Sequence, residues 1–108
     1  MTRAKSRDAE LSHVAVEILV SLLEGELHGY AIKLDVEQRI GGGFLLGSGT
    51  LYQSLQRLER RGYIAEVAER EPVDARRGRV YRIEEAGREA LESEMRRMSR
   101  VLRSGCSR

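Results

Sequence analysis

One cysteine, one proline, no tryptophan and two histidines stand among the 108 residues of this chain, and no apolar run approaches the roughly 18 residues of a membrane span. Each scarcity removes a class of protein. A lone thiol closes no internal disulfide, so a secreted disulfide scaffold is excluded; Cys106, set among Ser104, Gly105 and Ser107, reads as a tail thiol without a role. His13 and His28 have no cysteine or carboxylate cluster around them at metal-ligand spacing, so no metal and no cofactor is expected. Gly41, Gly42 and Gly43 lack the Gly-Lys-Ser/Thr ending of a phosphate loop, and Gly47 and Gly49 follow no Rossmann pattern. Ser48 has no partnered base, and Glu66, Glu69, Glu71 and Asp74 read as solvated positions. Catalysis is therefore not expected. After Arg3, Lys5 and Arg7 no apolar signal-peptide core follows, so the expected location is the cytoplasm, away from membranes.

What is present is charge and pattern. Charged residues make up 33% and hydrophobic ones 41%, which marks a globular domain rather than a disordered one. At this length a monomer buries a modest core and gains from association. Net charge is only +2, yet every basic residue except Lys5 and Lys33 is arginine, the side chain suited to bidentate contacts with phosphate and guanine.

Residues 1–8 form a polar, basic arm with no apolar period. From Leu11 through Val14, Ala15, Ile18, Leu19 and Leu22 the apolar residues follow a helical period, predicting a first helix that ends near Gly25, capped by Asp8 or Ser12. A second helix is expected from about His28 to Ile40, stopped by Gly41–Gly43, with Phe44 to Leu46 a small strand or buried connector. Tyr63, Ala65 and Val67 suggest one face of a strand, Tyr81 and Ile83 one face of another, and the charged turn between them a hairpin with a basic tip. A last helix runs from Glu84 to about Leu102, with Leu91, Met95, Met98 and Leu102 forming a seam at spacings of four, three and four. The seam suits a second copy; packing on its own domain is the alternative. The expected layout is thus a basic arm (1–8), a mainly helical winged helix-turn-helix domain with a small β-hairpin (9–83), a dimerisation helix (84–103) and a tail (104–108).

Between helix two and the hairpin lies the stretch richest in information. Leu51, Leu55 and Leu58 make an apolar face, and opposite them Thr50, Gln53, Ser54, Arg57, Arg60 and Arg61 recur at helical spacing. All six can hydrogen-bond base edges or phosphates, the pattern of a DNA recognition helix, although an ordinary amphipathic helix with a solvated face has the same periodicity.

The chain resembles the PadR family of bacterial transcriptional regulators from about Val16 to Leu102. The segment from Ile18 to Ile32 with its Leu27-His28-Gly29-Tyr30 junction, the block Gly49-Thr50-Leu51-Tyr52 followed by Leu55, Arg57-Leu58-Glu59 and Gly62-Tyr63-Ile64, and Arg77, Tyr81-Arg82-Ile83 and Glu85-Ala86-Gly87 occur in the family's order. Ser48 stands where many relatives have proline, and Glu84 where they often have threonine. The single last helix is similar to short-tailed members.

The resemblance implies a homodimeric repressor on a pseudo-palindromic operator, its partners being double-stranded DNA and a second copy of itself. In that setting Thr50, Gln53 and Arg57 suit base edges, and Ser48, Tyr52 and Arg61 suit phosphates. Tyr52 and Tyr30 each read equally well as core. Arg76, Arg77 and Arg79 on the wing would meet an adjacent minor groove or its phosphates. The expected dimer surface comprises Leu11, Val14, Ile18, Leu91, Met95, Met98 and Leu102. Two other readings stay open: a sensor holding an apolar effector at the dimer interface, and a protein-interaction module that keeps the fold without binding DNA.

Overall fold

The computed structural model describes residues 11–68 and 79–106. Helix α1 spans His13–Ser21. Ser12 sets its start: its Oγ accepts the Ala15 N–H at 3.1 Å, satisfying a donor that the first turn leaves without a helical partner. The helix stops at Ser21, a turn before the expected Gly25. The Leu22 and Leu23 N–H groups bond back to carbonyls of Leu19 and Val20, which tightens the exit. That exit delivers strand β1, Leu27–His28, too short for any periodicity to announce.

Helix α2 covers Gly29–Ile40 and helix α3 Ser48–Arg60. Between them Gly41, Gly42 and Gly43 adopt φ of 71°, 61° and 79°, the left-handed region that side chains disfavour. The rest of the link is a connector rather than a strand, with Leu46 buried and Leu45 exposed. The N-cap of α3 is Gly47, without a side-chain bond. Strand β2, Ile64–Val67, and strand β3, Val80–Ile83, form the hairpin, and β1 adds to the free edge of β3 in the order β1-β3-β2. All pairs are antiparallel, with Leu27 opposite Tyr81 and Ile64 opposite Ile83.

Alternation groups Tyr63, Ala65 and Val67 on one face of a strand. The structure instead buries Ile64 between them, and those three are only partly covered or lie at the rim. One residue of phase separates the two faces of a strand, and a short segment flanked by apolar residues on both sides leaves that phase open.

Helix α4 spans Glu85–Cys106, so it continues through Ser104 and Gly105, where a tail had been expected. Its entry is tight. A Cβ on Gly87 would collide with the Tyr63 main-chain carbonyl, and the same carbonyl accepts the Glu84 N–H at 2.9 Å.

The core lies where α1, α2 and α3 meet the sheet, built on Ile18, Leu19, Leu22, Ile32, Val36, Leu51, Leu55, Leu58 and Ile64, each contributing about 1.5–3 kcal/mol by burial. Two residues assigned to the dimer surface belong to this interior. Ile18 and Leu91 are buried within the protomer, where they join one core cluster, and so have no surface to offer a partner. The helical period reports that a face is apolar; it does not report who covers it. Leu11 and Val14 are partly buried against the same core.

A polar clamp ties α1 to α2. The Arg39 guanidinium donates to the Glu17 carboxylate, the Glu17 carbonyl, the Asp35 carboxylate and Ser21 Oγ at 2.6–3.0 Å, and Ser21 Oγ donates to Asp35 at 2.7 Å. The Ser21 hydroxyl, with Arg39 beside it, holds the Asp35 carboxyl below the usual carboxylate range.

Candidate nucleic-acid interface

Helix α3 divides cleanly. Leu51, Leu55 and Leu58 sit in the core, while Thr50, Gln53, Gln56, Arg57 and Arg60 are exposed and Ser54 and Arg61 are half-buried. The exposed groups are therefore presented by a helix whose rotation is fixed by three buried leucines. Among the described residues nothing lies within 4 Å of a Cβ placed on Gly47 or Gly49, and the first turn with Ser48 and Thr50 is exposed. With no side-chain cap, the N–H groups of that turn are available to an anion, which the helix dipole also favours.

The two tyrosines occupy the boundary between core and surface. The Tyr52 ring lies against Gly29, so close that a Cβ there would stand 2.9 Å from the phenol oxygen, yet the residue remains 39% exposed. Tyr52 thus packs across the α2–α3 junction and still shows part of itself to solvent; Gly29 is the small residue that allows it. Tyr30 is half-exposed, with the Lys33 ammonium 5.8 Å from its ring centre.

Further along α3, Ser54, Arg57, Leu58 and Arg61 border a small cavity of about 100 Å³ with Ser12 and Ala15 at the start of α1. Arg57, one turn along α3 from Gln53, therefore stands next to the N-terminal end of a second helix. On the hairpin, Arg79 is well exposed and lies 3.5 Å from Glu66 across the strands, so part of its charge is met within the chain. Arg82 pairs with Glu84 at 2.9 Å. The basic arm, Arg76 and Arg77 lie outside the described residues.

Sequence reasoning passed over two positions that shape this surface. Gly29 stands in the Leu27-His28-Gly29-Tyr30 junction, and nothing in the sequence links it to the Tyr52 ring. Glu37 is the other: its carboxylate accepts the Leu46 N–H at 2.8 Å. Its only sequence signal is an acid four residues after Lys33, which ordinarily denotes a surface ion pair.

Two helices joined by a glycine turn, the second bearing an exposed polar stripe and followed by an antiparallel hairpin, make a winged helix-turn-helix. The model of the transcriptional regulator PadR-like family matches residues 18–93, from the middle of α1 into α4. The chain belongs to the PadR-like family. Transcriptional regulator Rv3488 of Mycobacterium tuberculosis is 34% identical over 97 residues, covering 90% of this chain and 86% of that protein. An uncharacterized 37.1 kDa protein in transposon TN4556 of Streptomyces fradiae is 39% identical over 84 residues; the match takes in 78% of this chain but only 22% of that larger protein. The crystal structure of Bacillus subtilis PadR in complex with operator DNA shares the fold, with a TM-score of 0.63 at 21% identity over 78% of this chain and 47% of the other. As a PadR-like protein the chain is a transcriptional regulator and not an enzyme. Among the described residues no helix is long and apolar enough to cross a membrane.

Proposed function

We propose that this PadR-like protein is a sequence-specific DNA-binding regulator that acts as a homodimer on a pseudo-palindromic operator and represses the adjacent promoter. The observation that carries the reading is α3: a helix held by Leu51, Leu55 and Leu58 that turns Thr50, Gln53 and Arg57 outward behind an exposed first turn. Thr50 and Gln53 meet base edges, Gln53 being suited to adenine, and Arg57, one turn on, reaches guanine. Ser48, Tyr52, Arg61 and Tyr30 bind phosphates, and the wing arginines Arg76, Arg77 and Arg79 hold the flanking groove. That solved PadR was captured on operator DNA supports the same use here.

Support for the dimer comes from α4. Every residue from Met95 to Gly105 is exposed, Met95, Met98, Val101 and Leu102 among them, and an isolated stretch of that length is a marginal helix in water. Its charges are segregated. Glu85, Glu89, Glu92 and Glu94 fall in the first half with Arg88, whereas Arg96, Arg97, Arg100 and Arg103 occupy the second half without an acid. Two such helices laid antiparallel cover each other's apolar stripe and set basic ends against acidic ones. A cleft of about 310 Å³ between Leu23 and the α4 residues Arg88, Leu91, Glu92, Met95 and Arg96 borders that stripe and favours, as a second reading, an apolar effector held at the dimer interface.

The test is a selection from genomic fragments and random duplexes at near-physiological salt, run with the wild type and with Gln53→Ala/Arg57→Ala. Enrichment of a palindrome with half-sites about 34 Å apart, lost in the variant while the dimer persists, is the expected result. If about eight phosphates are neutralised, the logarithmic salt slope is near −7. Retention without sequence preference, unchanged in the variant, would overturn the reading.

A further inference from the structure

The connector between α2 and α3 is built from residues that give a chain little direction. Three successive glycines in the left-handed region open it, and Leu45 is 79% exposed. Such a segment is a hinge unless something brackets it. One residue does so from both sides. The Glu37 main-chain carbonyl accepts the Gly41 N–H at 2.9 Å, where the connector begins, and the Glu37 carboxylate accepts the Leu46 N–H at 2.8 Å, immediately before the Gly47 N-cap of α3. Lys33, one turn earlier, holds the same carboxylate oxygen at 3.0 Å. Inside this bracket the Phe44 N–H makes a local main-chain bond to the Gly41 carbonyl.

From this geometry we infer that Glu37 is the positioning residue of the recognition helix: its carboxylate fixes where α3 starts and at what angle Ser48, Thr50 and Gln53 leave the domain. The inference rests on the DNA-binding reading and deepens it. The three leucines of α3 set the helix's rotation and depth, but its axial register is set at the end where it enters, and the bonded atom there is the Leu46 nitrogen. Leu46 is itself buried, so the bond is made at an anchored point rather than on a loose loop. The Leu46 N–H, with Lys33 second, also holds the Glu37 carboxyl below the usual carboxylate range, consistent with a bonded, ionised acceptor. Base readout depends on placement within a fraction of an ångström, whereas phosphate attraction does not. Loss of the strut therefore falls on specificity before it falls on general DNA affinity.

Glu37→Ala, Glu37→Asp and Glu37→Gln are compared with the wild type at a temperature where all show native helicity. The duplexes are the operator recovered by the selection above and a random sequence, and the Leu46 amide is followed by hydrogen exchange. The aspartate is one methylene short and the glutamine keeps an acceptor at full reach, so the series does not depend on the alanine variant folding. Glu37→Ala and Glu37→Asp should lose on the order of tenfold in operator affinity, with random-duplex affinity and salt slope changed less than about twofold and the Leu46 amide deprotected. Glu37→Gln should stay within about threefold of the wild type. Undiminished operator preference in variants whose Leu46 amide is deprotected would overturn the inference, as would an equal fall on both duplexes, which denotes a merely structural role. A wild type with no operator preference would sink the reading beneath it.

Discussion

Helices α3 and α4 look alike in the sequence and fare differently in the structure. Each carries an apolar stripe at helical spacing opposite a row of arginines and other polar groups. In α3 the stripe is Leu51, Leu55 and Leu58, covered completely by the same chain. In α4 the stripe begins inside the protomer at Leu91 and then runs out of it: Met95 is 46% exposed, Met98 38% and Leu102 68%. The same periodicity thus serves two ends. A stripe met by its own domain fixes the pose of the opposite face, and a stripe left open asks for another molecule.

Truncating the closed stripe should have the largest effect. Leu55→Ala leaves a cavity among residues that cannot all collapse into it and costs about 2–5 kcal/mol, a large share of the stability of a small domain. Urea or thermal unfolding reads it directly, and DNA binding fails only as the domain unfolds. The open stripe should respond in the opposite manner. Met98→Glu should raise the dimer dissociation constant at least about tenfold by sedimentation equilibrium, about 1.4 kcal/mol. The winged domain stays folded, and far-UV circular dichroism falls as the last turns of α4 fray. If Met98→Glu instead unfolds the protein as Leu55→Ala does, the two stripes are not different in kind.

The smallest effect concerns the clamp between α1 and α2. Because the Asp35 pKa is lowered on folding, its contribution is fully present above the unfolded value, near pH 4, and is lost as pH falls through the lower folded value. The melting temperature should therefore decline below about pH 4, and Asp35→Asn should flatten that decline without altering the oligomeric state. The clamp is partly exposed, so the change is a modest one.

The order of helices, the hairpin and the family were legible in the chain because each rests on local signals. The Leu51-Leu55-Leu58 spacing, the stop at Gly41–Gly43 and the block from Gly49 to Tyr52 need no knowledge of what packs on them. What was hidden depends on distant partners. Strand β1 exists because β3 offers Leu27 and His28 an edge. Ile64 is inside rather than Tyr63 because the core lies on one side of a sheet that the sequence does not orient. Ile18 and Leu91 sit in the interior because α1 and α4 meet. Among the residues expected to touch DNA, Ser48, Thr50, Gln53 and Arg57 are exposed on α3, whereas the role of Glu37 is written in a contact between residues nine apart and leaves no period to read.

The Tyr63 carbonyl has a mechanical consequence. It receives the Glu84 N–H and presses where Gly87 has no side chain, so the root of the wing and the root of α4 share one atom. Helix α4 is about 33 Å long and cannot tilt at that end without dragging the strand that follows α3. In a dimer joined by its far half, the helix is a rigid lever with its fulcrum beside the reading head, and a small rotation at the joint is magnified into a change in the span between the two heads.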